Sequence, residues 1–357
     1  MMQPFFYEAL PMRVAYGSGT LGLLPNETQH LGIDNALVLS TPQQEDMARR
    51  ACELLGERCG GFFSGARMHT PTDVTQTALE RLRAAGCNGI VAIGGGSTIG
   101  LAKALALRTD LPQIAIPTTY AGSEVTPILG QTENGVKTTL RSPAVLPESV
   151  IYDVELTVGL PVGISITSGI NAIAHAVEAL YAKDRNPVIS LMAEEGVRAL
   201  ARSLPVIHER PHDRESRSDA LYGAWLCGAC LGSVGMALHH KLCHVLGGLF
   251  DLPHSDTHSV ILPHAVAYNS QAAPEAMARI AAALGVEHAA SGLYELNVRL
   301  EAPTSLAEIG MPESGIEAAV DQAAGSDPYW NPAPIERDRI RDLLIRAWSG
   351  QPPATAG

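Results

Sequence analysis

Short apolar runs alternate with amphipathic segments over the first 158 residues of the chain. Apolar runs rich in β-branched residues favour buried strands, and an apolar period near 3.6 residues favours a helix. The strand-like runs cover residues 36–41, 61–64, 89–93, 113–116 and 150–153. Helical patterns cover residues 43–55, 72–85 and 97 to about 107. This alternation is typical of a parallel sheet with helices packed on it, so we predict an α/β domain over residues 1–158.

The rest of the chain has a different pattern, in which strand-like runs no longer occur. Long segments rich in Ala, Leu, Val and Glu repeat their apolar positions at helical spacing. These segments cover residues 165–183, 187–201, 217–234 and 336–348. We therefore predict an all-α domain over residues 159–357, which makes the fold class an α/β domain followed by an all-α domain.

Composition and charge exclude some classes of function. The 357 residues are 46% hydrophobic and 17% charged, which is sufficient for two packed domains. A formal net charge of -12 argues against a general nucleic-acid binder, which needs a basic surface. We find no secretory signal pattern and no apolar run of transmembrane length, so we expect a cytoplasmic protein with no membrane partner. We expect the six cysteines to be free thiols, with Cys227 and Cys230 packing inside a helix.

A glycine run follows one predicted strand and precedes a predicted helix. Gly94, Gly95, Gly96 and Ser97 place backbone N–H groups and the positive end of the helix at one point, which suits a phosphate. The spacing differs from GxGxxG, so the run alone also fits a simple tight turn. A second polar loop, residues 117–124, follows the next strand. Because ligands bind at the carboxyl ends of parallel strands, the two loops together indicate one dinucleotide site.

Six of the twelve histidines fall between positions 239 and 264. His240 and His244 are four residues apart and share a helix face, as do Asn171 and His175 upstream. His254 follows a Pro-containing turn that comes after the segment carrying His240 and His244. A lone histidine is more often structural than functional, but two same-face pairs and a third histidine indicate a reactive site. Three further histidines stay open between a functional and a structural role: His239, His258 and His264.

The order of these motifs resembles that of the iron-containing alcohol dehydrogenase family. The motifs are GGGST, PTTYAGSE, a polar residue four places before HAVE, then HHKLCHVLGG and DLPH. The resemblance covers essentially the whole chain. It implies the architecture shared with dehydroquinate synthase, in which a dinucleotide-binding α/β domain precedes an all-α catalytic domain.

The resemblance also implies a set of metal-binding positions. In the family, the ligands are an aspartate and a histidine spaced D-x3-H, the first histidine of H-x3-H, and the histidine of the Pro-His turn. These map to position 171, His175, His240 and His254, and His244 would lie beside the nicotinamide. Position 171 is Asn, and a neutral amide cannot offset the charge of a divalent ion. We therefore expect no metal.

Two longer stretches resemble the maleylacetate reductase branch of the family. They are SGINAIAHAVEALYAKDRNPVISLMAEEG and ALHHKLCHVLGGLFDLPH. The resemblance implies a metal-independent reduction of the C=C bond of maleylacetate to 3-oxoadipate during the degradation of aromatic compounds. It further implies NADH as the cofactor with NADPH as a second donor, a small dicarboxylate substrate that includes chlorinated forms, and a homodimer.

The predicted cofactor site consists of the two loops and a few flanking residues. Thr41 follows the first strand, and its neutral side chain would not repel the 2′-phosphate of NADPH. Lys137 is included because the resemblance implies a lysine near the nicotinamide ribose. The full predicted set is Thr41, Gly94, Gly95, Gly96, Ser97, Thr118, Thr119, Tyr120, Ser123 and Lys137.

The predicted catalytic residues are histidines, because imidazole exchanges protons near neutral pH. We expect His244 and His254 to polarise the substrate carbonyl and relay the proton. His175 and His240 are expected to complete the catalytic pocket. Asn171 and Lys241 are predicted to contact the substrate.

Three alternatives stay open. The first is a metal-dependent alcohol or polyol dehydrogenase of the same family. The second is a lyase related to dehydroquinate synthase, which would use NAD without net consumption. The third is a non-catalytic nucleotide-binding protein, against which the clustering of histidines argues.

Overall fold

The structure is a computed structural model that describes residues 4–133, 135–325 and 328–354, with the side chains of Val136 and Lys137 also outside the description. The described chain forms two compact units. One unit is Ala9–Leu160, and the other runs from Pro161 onward and includes the segment before Ala9. The division therefore lies two residues after the position, 158, at which we predicted the domain boundary.

The first unit is built on a parallel sheet. Its described strands are β1 (Arg13–Gly17), β2 (Ala36–Leu39), β3 (Cys59–Phe63), β4 (Gly89–Gly94), β5 (Gln113–Pro117), β6 (Ile128–Glu133), β7 (Val136–Arg141) and β8 (Ser149–Asp153). Six of them form the sheet in the order β1-β8-β5-β4-β2-β3, and every neighbouring pair is parallel. β6 and β7 form a separate antiparallel pair.

Helices cover both faces of this sheet. They are α1 (Leu24–His30), α2 (Glu45–Leu55), α3 (Thr72–Ala84) and α4 (Gly96–Thr109). Val38, Val91 and Ile114 point to one face and pack in one core cluster with residues of α1 and α2. Alternate positions of the same strands, such as Leu37 and Ile90, are also completely buried and face the other side, where α4 packs. Burial on both faces explains why these strands are continuous apolar runs.

The second unit contains helices and no strand among its described residues. Its helices are α5 (Val162–Leu180), α6 (Pro187–Glu209), α7 (Arg214–Ser233), α8 (Leu238–Phe250), α9 (His254–Asn269), α10 (Pro274–Leu284), α11 (Ala289–Arg299), α12 (Ile316–Ala323) and α13 (Arg337–Ser349). α6 and α7 approach closely at Gly196, where a Cβ atom would lie 2.6 Å from Cys227 Sγ. α8, α9, α12 and α13 share one apolar core.

Two of these helices begin with side-chain caps that the sequence specifies. Asn186 precedes Pro187 and accepts a hydrogen bond from the backbone N–H of Ile189 at 3.0 Å. Asp213 accepts one from the N–H of Ser216 at 2.9 Å. Asn and Asp are preferred at this position because they satisfy N–H groups that have no partner inside the helix.

The predicted fold class, α/β followed by all-α, is confirmed.

No single described helix is long and apolar enough to span a membrane, although α7 and α8 reach that length and composition as a pair bent by 93°.

Two of the six cysteines, which we expected to be free thiols, lie next to each other. Cys52 in α2 and Cys59 in β3 are close enough to pair as a disulfide, because α2 packs against β3 and brings their Cα atoms to 5.2 Å. The other cysteines are buried, and Cys227 and Cys230 lie inside α7 as predicted.

Candidate active site

The glycine-rich turn lies at the carboxyl end of β4, where α4 begins. Gly95 is the N-cap of α4 and has an extended backbone, with φ −85° and ψ −164°. Gly96, the first residue of the helix, is exposed, and a Cβ atom added to it would meet nothing within 4 Å. The first N–H groups of a helix have no partner within the helix and carry partial positive charge. This end of α4 is therefore accessible to an anionic group such as a pyrophosphate.

The loop after β5 packs directly against the glycine turn. The backbone N–H of Thr118 donates to the carbonyl oxygen of Gly94 at 3.1 Å. A Cβ atom on Gly95 would lie 2.9 Å from the methyl carbon of Thr119, so this close approach requires glycine. Gln44 at the start of α2 donates to Thr118 Oγ1 at 2.7 Å. Because β2, β4 and β5 are neighbours in the sheet, their loops form one polar edge.

The side chains of this edge differ in exposure. Ser97, Thr119 and Ser123 are partly exposed and able to meet a ligand. Thr118 is 1% exposed and Tyr120 is completely buried, so both side chains support the loop from within. This burial corrects the expectation that the side chains of Thr118 and Tyr120 line the cofactor path.

Two predicted cofactor residues lie outside these loops. Thr41 is partly exposed just beyond β2, and its hydroxyl lies 3.2 Å from Gln44 Oε1. The side chain of Lys137 lies outside the described residues.

Six histidines of the helical unit come together in what we call the histidine cluster. It consists of His175, His239, His240, His244, His254 and His258, contributed by α5, α8 and α9. Neighbouring ring centroids lie 4.3 to 6.4 Å apart. His244 and His254 are exposed, whereas the other four are at most 7% exposed. The two histidines that we predicted to act on the substrate are thus the accessible ones.

A buried carboxylate, Glu178 of α5, fixes the position of His240. Its Oε2 lies 2.7 Å from His240 Nδ1 and accepts the backbone N–H groups of Ala237 and His240 at 3.0 and 3.4 Å. Its Oε1 accepts the N–H of His239 at 2.9 Å. Glu178 therefore caps the start of α8 and holds the proton of His240 on Nδ1, which leaves a lone pair on Nε2.

A second pair inside the cluster joins His239 to His258. His239 Nε2 lies 3.0 Å from His258 Nδ1, and Cys243 Sγ lies 3.7 Å from the same His239 nitrogen. Both rings are completely buried. These two histidines, whose roles the sequence left open, are therefore part of the cluster.

Burial keeps the inner histidines neutral. It lowers the pKa of His175, His239 and His258 well below the usual range, and the neighbouring histidines lower it further because like charges repel. A neutral imidazole carries one N–H donor and one nitrogen lone pair. The inner part of the cluster therefore offers lone pairs instead of positive charges.

Several buried atoms of the histidine cluster and of the neighbouring helix turn have no hydrogen-bond partner among the described residues. They include Oδ1 of Asn171, Nδ1 of His175 and Nε2 of His240. Asn171 lies one helical turn before His175 on α5 and is 2% exposed. Imidazole nitrogens and an amide oxygen without other partners are suitable ligands for a divalent transition metal. Among the described His, Cys, Asp and Glu side chains, the group whose ligand atoms lie within 4.8 Å of one another is His239, Cys243 and His258.

Lys241 differs from the cluster in its contacts. It follows His240 on α8, and its Nζ lies 5.5 Å from the centre of the Tyr329 ring. Its side chain is partly exposed. Consecutive helix residues point about 100° apart, so Lys241 does not share the face of His240 and His244.

Comparison with known proteins identifies the family. The model described as "Iron-containing alcohol dehydrogenase" matches residues 11–154, and the one described as "Fe-containing alcohol dehydrogenase family, C-terminal" matches residues 165–348. The chain belongs to the iron-containing alcohol dehydrogenase family. Like other members of this family, it is an oxidoreductase.

Individual relatives are similar over their full length. Maleylacetate reductase of Rhizobium sp. (strain MTP-10005) is 57% identical over 352 residues, which cover 99% of this chain and 100% of that protein. The crystal structure of maleylacetate reductase from Agrobacterium tumefaciens matches with a TM-score of 0.95 and 57% identity, covering 99% and 100% of the two chains. An iron-containing alcohol dehydrogenase from Corynebacterium glutamicum matches at 41% identity with a TM-score of 0.92, covering 97% of each chain.

The expectation that no metal is bound is wrong. We drew it from Asn171, but the match to the iron-containing family implies iron or another metal cofactor. The unpartnered atoms of Asn171, His175 and His240 are of the kinds that bind such an ion. An amide oxygen remains a possible metal ligand without charge, so the substitution alone is insufficient to exclude the metal.

Sequence reasoning assigned no role to two residues that organise this site. Glu178 is the last residue of the HAVE motif, but nothing in the local sequence indicates that it caps a helix that begins 60 residues later. His258 lies one turn after His254 on α9. That spacing was the available signal for a shared face.

Proposed function

We propose that this chain reduces the C=C bond of maleylacetate to give 3-oxoadipate, with NADH or NADPH as the hydride donor. The observation that carries the proposal is the 57% identity to a maleylacetate reductase over 99% of this chain. The reaction is part of the degradation of aromatic compounds. We also propose that the enzyme is cytoplasmic and acts as a homodimer.

The chemistry places specific demands on the site. Hydride is added to the alkene carbon β to the ketone, and a proton to the carbon α to it. Between these steps, negative charge accumulates on the ketone oxygen. Donors directed at that oxygen stabilise the enolate and lower the barrier. We assign this task and the proton transfer to His244 and His254, the exposed members of the histidine cluster.

The inner residues prepare this arrangement. Asn171, His175 and His240 would hold the divalent metal, which would supply Lewis-acid stabilisation of the enolate oxygen. Glu178 keeps the proton of His240 on Nδ1 and the Nε2 lone pair available. We keep Lys241 as a proposed substrate contact, whereas the buried Asn171, which we expected to contact the substrate, is assigned to the metal instead.

The α/β unit is proposed to bind the nicotinamide cofactor. The start of α4 would hold the pyrophosphate, with Ser97, Thr119 and Ser123 beside it. Neutral Thr41 at the carboxyl end of β2 neither repels a 2′-phosphate nor pairs strongly with the ribose hydroxyls. This composition supports the use of both NADH and NADPH, and Lys137 is proposed as a further contact.

The proposal is tested by following the oxidation of NADH and NADPH with maleylacetate, beside a panel of simple aldehydes and polyols. We expect oxidation with maleylacetate and little with the aldehydes. A preference for aldehydes or polyols would instead identify a metal-dependent alcohol dehydrogenase of the family. Product formation without net NADH consumption would identify a lyase and overturn the proposal.

A further inference from the structure

Lys103 is a buried lysine whose hydrogen-bond acceptors lie between residues 123 and 128, at the end of the second cofactor loop and just after it. It lies in α4, two turns after the glycine turn, and its side chain is completely buried. Its Nζ donates to the carbonyl oxygens of Ser123, Thr126 and Ile128 at 2.5, 2.8 and 2.8 Å. It also donates to Thr126 Oγ1 at 2.9 Å. One ammonium group thus binds three backbone carbonyls within six residues.

Charge compensation for Lys103 is incomplete. Glu124 is 2% exposed and favours the charged lysine, but its Oε1 accepts a hydrogen bond from Tyr152 at 2.8 Å. Burial nevertheless lowers the pKa of Lys103 to about 7, with Glu124 opposing the shift. Burying an ammonium group is costly, and an apolar residue would fill the space without that cost. The burial of this ammonium group is therefore most simply explained by its hydrogen bonds to the loop after β5.

We infer that Lys103 is a positioning residue for the nicotinamide cofactor, which acts by fixing the loop after β5 against α4. The first residues of this loop, Thr118 and Thr119, contact the glycine turn. Lys103 fixes the later part, at Ser123, Thr126 and Ile128. Since α4 carries both Gly96 and Lys103, the pyrophosphate site and the loop beside it are held by one helix. The inference rests on the proposed function, because it assumes that this edge binds NADH.

The test uses Lys103→Met, which keeps most of the length of the side chain and removes its charge and donors. We expect the Kd for NADH to rise about tenfold, the equivalent of one charged hydrogen bond. At saturating NADH, kcat should change by less than about threefold, because the lysine does not act on the reacting atoms. Hydrogen exchange of the amides in residues 122–128 should accelerate, whereas exchange in β4 should not.

Two further variants keep the test decisive. Lys103→Met leaves Glu124 buried without its cation, so the double variant with Glu124→Gln removes this charge imbalance. The double variant should be more stable than Lys103→Met. Its Kd for NADH should remain higher than that of the wild type. The matched control is Arg217→Met in the helical unit, since Arg217 is also completely buried and donates to Pro211 O and Ser165 Oγ. It should lower the Tm without changing the Kd for NADH.

The outcomes separate this inference from the proposed function. If the wild type neither binds NADH nor reduces maleylacetate, the proposed function fails. If the wild type does both and the double variant binds NADH with unchanged Kd, the positioning role of Lys103 is refuted. The same conclusion follows if Arg217→Met weakens NADH binding as much as Lys103→Met, since the effect would then reflect general destabilisation.

Discussion

Replacing Glu178 by Gln is the change that most directly tests the organisation of the histidine cluster. The carboxylate accepts four hydrogen bonds, three from backbone N–H groups at the start of α8 and one from His240 Nδ1. Gln keeps the volume but converts one oxygen into an NH2 donor. If the amide oxygen takes the place of Oε2, the new donor faces the N–H of His239.

The magnitude follows from these contacts. One hydrogen bond is lost, two buried donors face each other, and three remaining bonds lose the acceptor's charge. Unsatisfied buried groups cost about 1–3 kcal/mol each, so we expect the free energy of unfolding to fall by about 2–4 kcal/mol. Activity should fall by roughly 10- to 100-fold, because a neutral amide oxygen holds the proton of His240 on Nδ1 less strongly than the carboxylate does.

The assay is urea unfolding followed by circular dichroism, together with steady-state kinetics. The matched control is Asp213→Asn at the start of α7, which makes the same chemical change at a carboxylate cap that accepts the N–H of Ser216. Asn caps helices as well as Asp, so the control should lose less than about 0.5 kcal/mol. If Glu178→Gln is as stable and active as this control, the role that we give Glu178 is incorrect.

Three other predictions follow. His244→Ala should lower kcat and kcat/KM together by roughly 10²–10³-fold. The control His288→Ala, at an exposed histidine, should change neither constant. Equal kinetics of the two variants would mean that the role of His244 is structural. Asn171→Asp should tighten binding of a divalent metal, because a carboxylate adds charge to the ligand set; calorimetry with Zn²⁺ showing weaker binding would contradict this. Burial and the charge of Arg346 lower the pKa of His264 in the folded protein to about 4. In the unfolded chain, this histidine therefore takes up its proton at a higher pH. Stability should therefore fall as the pH drops from about 6.5 towards 4, and less steeply in His264→Gln; identical pH slopes would refute the assignment.

Much of the α/β unit was predictable because its central strands are buried on both faces. β4 and β5 are short β-branched runs that end at a glycine turn and a proline, and their predicted positions agree with the structure within one residue. β1 was missed because it is an edge strand, partly exposed along its length, and therefore lacks a continuous apolar run. β6 and β7 were missed because their sequences, ILGQTE and VKTTLR, are largely polar.

The site was predictable where spacing alone specifies geometry. Four-residue spacing predicted that His240 and His244 share a face of α8, and their ring centroids lie 6.4 Å apart. Contacts between distant segments were not predictable in this way. The link from Glu178 to His240 joins residues 62 positions apart, and that between His239 and His258 joins two helices. Such pairs depend on how the helices pack, which local sequence patterns do not specify.

The most direct test of the central claim is the position of deuterium in the product. Wild-type enzyme is supplied with maleylacetate and NADH carrying deuterium at both C4 positions, and the product is examined by NMR. The account predicts one deuterium on the 3-oxoadipate methylene next to the carboxylate that is farther from the ketone, with a solvent proton added at the carbon α to the ketone. Deuterium on a newly formed carbinol carbon would show that the enzyme reduces the ketone, and the proposed function would be wrong.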